Sequence, residues 1–159
     1  VLEPKGWLPM DGSAFFFETT FEVGERRLSL SEIEHERIRH TELDFRDHAA
    51  LNCASMSCPP MRNELYRTER LQEQLREQME VWVMDDERGV RIEDGEVVFN
   101  PIFDWFERDF IFTSAGMSIC EIAVSYADGP KKKRLRRLAD NGCPHRFFEY
   151  DWSLNDASK

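Results

Sequence analysis

Hydrophobic positions recur at helical spacing from about residue 68 onward. An apolar residue returns every three or four positions from Leu71 to Trp82, which predicts a helix that begins near Thr68 and buries one face. Similar spacing predicts three further helical segments, an aromatic one after Pro101 and two others over residues 117–126 and 131–139. Together these segments form the predicted helical part of the fold.

Runs of β-forming residues flank these helices. Asp94-Gly95 lies between two such runs and suits a type I′ turn, which predicts a β-hairpin over residues 89–100. Extended structure is also predicted for residues 15–28 with a turn at Gly24, for the apolar run 48–54, and for the C-terminal segment 145–155. We therefore predict an α+β fold, in which these segments form a small, mainly antiparallel sheet with several helices packed around it.

Two short motifs predict where helices begin. Residues 29–32 have the S-x-x-E spacing of a capping box, which predicts a partly exposed helix that continues to about residue 39. The prolines at 59–60 suit a first helical turn, because the N–H groups that they lack would find no helical partner there. A second helix is therefore predicted from this point through residue 66, and Cys58 would lie at its N-terminus.

Composition and charge narrow the classes of function. A chain of 159 residues with 41% hydrophobic residues has the size and apolar content of one domain, which we predict over residues 1–159. The net charge of −10 argues against nucleic-acid binding, because the field of the protein repels a polyanion. The basic run "KKKRLRR" at 131–137 is interpreted as a solvated helix face, with a polyanion or membrane patch as the alternative. No apolar run is long enough to span a bilayer, so we expect an acidic, soluble protein.

The cysteines at positions 53 and 58 are the main candidates for chemistry. At a helix N-terminus the pKa of the Cys58 thiol would fall, because the helix dipole favours the thiolate. With His48 as general base and Asp151 to orient it, Cys58 would form the site of a thiol-dependent hydrolase or transferase. Two observations weigh against this: the prolines leave fewer N–H groups to face the sulfur, and the separation of His48 from Cys58 in sequence allows many geometries.

Three other interpretations of these cysteines stay open. Cys53 lies in an apolar run, where a cysteine usually behaves as a small buried hydrophobe. A disulfide between Cys53 and Cys58 would need their Cα atoms within about 7 Å of each other. A zinc site is the third interpretation, with the ligands His48, Cys53, Cys58 and either Cys143 or His145. Its spacing matches no standard zinc motif, so we predict no metal or other cofactor. The redox compartment and the location in the cell stay open.

Polar residues beside the cysteines and near the C-terminus are candidates for binding. We predict binding roles for Asn52, Cys53, Tyr150 and Asn155. Asp151 lies between two aromatic residues in a predicted half-buried strand, where a lone carboxylate needs a partner. The alternative for Asp151 is that it caps nearby backbone N–H groups or pairs with an arginine, and the two asparagines invite the same structural interpretation.

Several longer stretches carry a resemblance to a known family. "RRLSLSEIEHERIR", "HAALNCASMSCPP", "LYRTERLQEQL", "IFDWFERDF" and "YDWSLN" occur in the order and spacing of the domain of unknown function 547 family, which occurs in bacteria and plants. The chain resembles that family from about residue 15 to about residue 155. It departs from the family at Ala49, where an aromatic residue is usual, and at Met61, where a leucine is usual. The resemblance implies no established general activity.

The resemblance also implies that the front of the domain is missing. Family members usually carry an earlier helix with an N-x-x-W-x-N-x-Y-N motif, and residues 1–14 do not match it, so we expect an N-terminally incomplete domain. A second copy of the chain or a partner chain would then cover the exposed faces. The order of elements is loosely similar to papain-like and transglutaminase-like folds, in which His48 would match the general base without a nucleophile in the matching place. We therefore expect a noncatalytic binding or interaction domain, with the thiol-dependent hydrolase or transferase as the alternative.

Overall fold

The computed structural model describes residues 13–41 and 43–156 and divides the chain into two units, residues 1–44 and residues 45–159. The expectation of a single domain over residues 1–159 stays a prediction. The expected lack of the family's front motif concerns a region that is mostly outside the described residues.

A short helix and a β-hairpin form part of the first unit. Helix α1 spans Ser13–Phe17, and strands β1 (Thr20–Val23) and β2 (Arg26–Ser29) pair antiparallel. Gly24 makes the predicted turn between them, with a φ of +62°. The prediction of extended structure at residues 15–17 was wrong, because these residues lie in α1. The ring of Phe15 packs on that of Phe21, with 6.3 Å between centroids.

The predicted capping box at Ser29 is confirmed. Ser29 Oγ accepts a hydrogen bond from Glu32 N at 3.1 Å, and the Glu32 carboxylate accepts one from Ser29 N at 2.7 Å. Helix α2 (Leu30–Glu32) starts at this box and continues as a π-helix over Ile33–Ile38. The predicted helix therefore forms, but most of it has the wider turns of a π-helix.

Helices make up much of the second unit. They are α3 (Asp47–Ala50), α4 (Leu71–Met84), α5 (Ile102–Trp105), α6 (Glu107–Thr113), α7 (Ile119–Tyr126) and α8 (Gly129–Asp140). The predicted start near Thr68 is confirmed as a 3₁₀ turn over Thr68–Arg70 that leads into α4. The three helical segments predicted after it are also confirmed, and Phe106 interrupts the aromatic one. No helix in the described ranges is long and apolar enough to cross a bilayer.

The predicted hairpin is confirmed in strands β3 (Val90–Glu93) and β4 (Glu96–Phe99). Asp94 and Gly95 have φ angles of +51° and +83°, as a type I′ turn requires. Strand β5 (His145–Phe147) pairs with β4 in parallel and is shorter than the predicted closing strand. The α+β class is confirmed. The described strands, however, form an antiparallel pair and a separate mixed sheet of three strands instead of one mainly antiparallel sheet.

Stacked aromatic rings form the centre of the core of the second unit. Trp82 of α4 stacks on Phe103 of α5 with 4.6 Å between centroids, and Phe103 stacks on Phe110 of α6 at 4.7 Å. A disulfide joins Cys120 of α7 to Cys143, which follows α8. These contacts connect the helices that surround the mixed sheet.

Two local predictions in the second unit were wrong. Residues 48–54 do not form a buried strand, because the first part of this run lies in α3 and the rest is irregular. No helix follows the prolines at 59–60, because side chains take the carbonyls that a helix would use. Asn52 Nδ2 donates to Pro59 O at 2.8 Å, and Gln78 of α4 donates to Pro60 O. Cys58 therefore does not lie at a helix N-terminus.

Candidate thiol site

The segment that carries both cysteines pairs with the C-terminal segment of the chain. Met56 N donates to Ser153 O at 2.8 Å, and Asn155 N donates to Ala54 O at the same distance. Ser55 and Leu154 form an antiparallel β-bridge between these bonds. The motifs "NCASMSCPP" and "YDWSLN", which lie far apart in sequence, therefore form one site in the fold.

The cysteine loop, residues 52–59, is closed by two hydrogen bonds of the Asn52 side chain. Asn52 Oδ1 accepts a hydrogen bond from Ala54 N at 2.7 Å, and the Asn52 amide donates to the Pro59 carbonyl. Ala54 adopts a φ of +63°, and Cys58 N donates to Ser55 O at 3.2 Å, so two successive turns bring the chain back on itself. This folding of the loop brings the two cysteines together.

A buried asparagine binds the cysteine loop next to Cys58. Asn100, which follows β4, is fully buried and donates hydrogen bonds to Ser57 O at 2.8 Å and Arg88 O at 2.6 Å. Its Oδ1 accepts from Ile102 N at 2.9 Å. The mixed sheet and α5 therefore position the residues next to Cys58 through a single side chain.

The two sulfur atoms share a set of polar neighbours. Cys53 N donates to Cys58 Sγ at 2.9 Å, and Cys53 Sγ lies 3.3 Å from Ser55 Oγ. Tyr150 Oη donates to Cys58 Sγ at 3.4 Å, lies 3.6 Å from Cys53 Sγ and accepts from Ser55 Oγ at 2.9 Å. Cys58 is only 3% exposed, whereas Cys53 is half-buried, so Cys53 is the more accessible thiol.

These contacts separate the pKa values of the two thiols. The hydrogen bond from the Cys58 thiol lowers the pKa of Cys53 to about 5, and the hydroxyls of Ser55 and Tyr150 act in the same direction against the effect of burial. The same hydrogen bond, followed by burial and the charge on Cys53, raises the pKa of Cys58. Burial and the neighbouring sulfurs also raise the pKa of Tyr150. The negative charge of the pair is therefore favoured on Cys53 over Cys58.

Aromatic rings hold the Tyr150 hydroxyl in place. The ring of Tyr150 lies 4.5 Å from that of Trp152 and 4.9 Å from that of Trp105, measured between centroids. Trp105 and Trp152 stack on each other at 5.5 Å. This packing restricts the tyrosine ring, so its hydroxyl stays directed at the sulfur atoms.

His48 contacts Asp109 and Phe106 in the core. Its imidazole is buried, with Nε2 at 2.9 Å from Asp109 Oδ2 of α6, and its ring stacks on Phe106 at 4.2 Å between centroids. The hydrogen bonds to Cys58 Sγ come from Cys53 and Tyr150. The described contacts therefore do not join His48 to Cys58, and the carboxylate beside His48 is that of Asp109.

The other predicted residues meet at the site in different ways. Asn52, Cys53 and Tyr150 surround the sulfurs, and Asn155 contributes its backbone N–H to the segment pairing. Asp151 N donates to Ser57 Oγ at 2.9 Å, and its carboxylate accepts from Ser153 N at 2.8 Å. These contacts agree with the capping role that was the alternative for Asp151.

Sequence reasoning missed Ser55, Asn100 and Asp109. Ser55 lies inside the cysteine motif, where its position between two candidate thiols was an available signal. Asp109 is an acid within an aromatic helix, and a carboxylate on an apolar face needs a partner. Asn100 offered only its position after a hairpin, and nothing in its neighbours in sequence indicates which backbone groups it contacts.

The disulfide between the other two cysteines rules out Cys143 as a zinc ligand. Cys143 forms a disulfide with Cys120, so it does not complete a zinc site with the other candidates. Cys53 and Cys58 are free thiols in this structure. The described residues contain no group of three or more histidine, cysteine or acidic side chains arranged to bind a metal ion.

Comparison with known proteins identifies the family. The family model described as "Protein of unknown function, DUF547" matches residues 5–83. Through this segment the chain belongs to that family. No curated protein and no solved structure matches the chain significantly.

The DUF547 match contains the cysteine loop but ends before Tyr150. The matched segment therefore supplies both thiols and Ser55, while the part of the chain that follows it supplies the tyrosine hydroxyl. The resemblance over the rest of the chain, to about residue 155, stays a prediction.

Proposed function

We propose that this DUF547 protein has a thiol-dependent function and that its reactive group is the Cys53 thiolate. The observation that supports this proposal is the position of Cys58 against Cys53, with Cys53 N at 2.9 Å from Cys58 Sγ, because the hydrogen bond from the Cys58 thiol is the largest influence that lowers the pKa of Cys53. Hydrogen bonds to a sulfur favour its charged form, and the thiolate is the nucleophilic form of cysteine. Cys53 is also accessible enough to meet a substrate.

This proposal changes the roles expected from the sequence. Cys58 is buried, lies outside any helix and has a raised pKa, so it acts as a hydrogen-bond donor to Cys53 and not as the attacking group. Cys53 needs no histidine to remove its proton, because its pKa of about 5 leaves it ionised at neutral pH. His48 and Asp109 act in the core as a buried pair that fixes α3 against α6.

Pulsed alkylation with iodoacetamide across about pH 4 to 9, with peptide masses recorded for each cysteine, tests this function. Cys53 is expected to label with a midpoint near pH 5, and Cys58 is expected to label slowly throughout. The Cys58→Ala variant, which removes the hydrogen bond from Cys58, should move the Cys53 midpoint upward. A Cys53 midpoint near the ordinary thiol value of about 8.5 would contradict the proposal.

A noncatalytic binding or interaction domain is the second candidate. It is favoured by one observation, the commitment of His48 to Asp109, which leaves the described thiol site without a histidine for acid–base steps. In this case the cysteine loop is a structural junction between the cysteine motif and the C-terminal segment. Slow labelling of both free cysteines across the whole pH range would support this candidate over the first.

A further inference from the structure

We infer that Cys53 and Cys58 are a redox pair that exchanges two electrons with a disulfide substrate. This inference rests on the proposed function, because it needs the Cys53 thiolate, and it adds the substrate class and a chemical role for Cys58. Its basis is the geometry of the loop, which places two free thiols in one hydrogen-bonded cluster while the other two cysteines are already joined to each other.

The two cysteines lie close enough for their side chains to meet. Cys53 N lies 2.9 Å from Cys58 Sγ. One covalent bond joins this nitrogen to the Cα atom of Cys53, and two bonds separate the sulfur from the Cα atom of Cys58. The Cα atoms therefore lie near or within the limit of about 7 Å for a disulfide. Both sulfurs also contact Tyr150 Oη, at 3.6 Å and 3.4 Å, so they point toward the same place.

Exposure assigns a different role to each sulfur. Cys53 is half-buried and ionised, so it is the atom that an external disulfide meets first. Cys58 is 3% exposed and keeps its proton, so it reacts with Cys53 and not with the external substrate. In thiol–disulfide exchange through a mixed disulfide, Cys53 is then the attacking cysteine and Cys58 the one that resolves the mixed disulfide.

The reaction balances with a disulfide as the only other reactant. The Cys53 thiolate attacks one sulfur of the substrate disulfide, so a bond from Cys53 Sγ forms, the substrate S–S bond breaks and a thiolate leaves. That leaving thiolate takes the proton of Cys58. The Cys58 thiolate then attacks Cys53 Sγ, forms the Cys53–Cys58 disulfide and releases the second substrate thiolate. The substrate gains two electrons and the protein dithiol loses two.

Tyr150 is a positioning residue for this exchange. Its pKa is raised, so its hydroxyl stays protonated, and it donates to Cys58 Sγ while it accepts from Ser55. A hydroxyl in this position stabilises negative charge on Cys58 when the proton leaves, which is the state that must attack Cys53. The packing of the ring against Trp105 and Trp152 keeps the hydroxyl there during both steps.

The inference is tested by incubation of the native protein with oxidised glutathione in one arm and with insulin, a protein disulfide, in the other. Non-reducing peptide mapping then identifies every disulfide. We expect a Cys53–Cys58 disulfide together with reduced product, and an unchanged Cys120–Cys143 disulfide as the internal control. Reaction in one arm only would support the inference and identify a small-molecule or a protein disulfide as the substrate. Absence of the Cys53–Cys58 disulfide in both arms would overturn it.

Cysteine variants separate the failure of this inference from that of the proposed function. Cys58→Ser should accumulate a stable mixed disulfide on Cys53, whereas Cys53→Ser should leave Cys58 unmodified. If the wild-type protein itself stops at the mixed disulfide on Cys53, the thiol-dependent function stands and the pairing with Cys58 is wrong. If Cys53 resists both disulfides and iodoacetamide, both proposals fail. The wild-type arms need no variant, so the test does not depend on how the variants fold.

Discussion

Two tyrosines with opposite environments give a matched test of the thiol site. Tyr150 Oη contacts Ser55 and both sulfurs, whereas the Oη of Tyr66 is buried and has no hydrogen-bond partner among the described residues. Substitution of either tyrosine by phenylalanine removes one oxygen and leaves the ring. The pair Tyr150→Phe and Tyr66→Phe therefore separates the effect of the hydrogen bonds from that of a lost hydroxyl.

Only Tyr150→Phe is expected to lower the free energy of unfolding. Tyr150→Phe removes a bond of 2.9 Å from Ser55 and one of 3.4 Å to Cys58, each with a net contribution of about 1 kcal/mol, so the free energy of unfolding should fall by roughly 1–2 kcal/mol. Tyr66→Phe removes an unsatisfied buried group and should leave the stability unchanged or raise it by up to about 1 kcal/mol.

The two variants should also differ in the reactivity of Cys53. The Tyr150 hydroxyl lies 3.6 Å from Cys53 Sγ and lowers the pKa of Cys53. Its loss should raise that pKa by somewhat less than one unit, because a single hydrogen bond contributes about 1 kcal/mol. Tyr150→Phe should therefore label several-fold more slowly with iodoacetamide near pH 5, and Tyr66→Phe should label at the wild-type rate. Urea unfolding supplies the stabilities, and peptide masses after pulsed labelling supply the rates.

Identical behaviour of the two variants would contradict this role of the Tyr150 hydroxyl. Equal changes in stability would mean that the Tyr150 hydroxyl makes no net contribution through its contacts. An unchanged labelling midpoint in Tyr150→Phe, in a variant that is shown to be folded, would mean that this hydroxyl does not stabilise the thiolate. Either result would remove Tyr150 from the account of the site.

Three further predictions test the surrounding structure. His48→Ala breaks the buried pair with Asp109 and should lower the free energy of unfolding by about 3–5 kcal/mol in urea, without moving the labelling midpoint of Cys53; a moved midpoint would return His48 to the thiol site. Gly89→Ala would place a Cβ atom 1.7 Å from Trp82 O, so the free energy of unfolding, measured by thermal unfolding, should fall by about 3 kcal/mol or more. The control Gly95→Ala meets no atom within 4 Å and should lose only about 1 kcal/mol, so equal losses in the two variants would contradict the packing at Gly89. The double variant Cys120→Ser and Cys143→Ser should lose about 3 kcal/mol of stability in urea and keep the reactivity of Cys53; an unaltered midpoint of unfolding would argue against the disulfide.

Elements that depend on a few adjacent residues were predictable from the sequence. The Asp94-Gly95 turn needs two positive φ angles that these residues adopt readily, and the Ser29 capping box needs only one helical turn. The helix from Leu71 was predictable because its apolar spacing is long and regular. In each case the information lies within the element itself.

The thiol site was predictable only in part, because its geometry depends on distant segments. The cysteine motif and the C-terminal motif were both singled out, but their pairing through Ser55 and Leu154 has no signature within either one. The prolines at 59–60 favoured a helix locally, and hydrogen bonds from Asn52 and from Gln78 of α4 outweigh that preference. The fold therefore places Cys58 outside a helix, although its neighbours in sequence favour a helix start there.

Titration of thiolate absorbance near 240 nm measures the ionisation of Cys53 directly, because it detects the charge on sulfur without requiring access for a reagent. We expect one thiolate to titrate near pH 5 in the native protein, and this step to disappear in Cys53→Ser and after denaturation. A native protein that shows no thiolate until above about pH 8 would contradict the account, because neither cysteine would then be ionised at neutral pH.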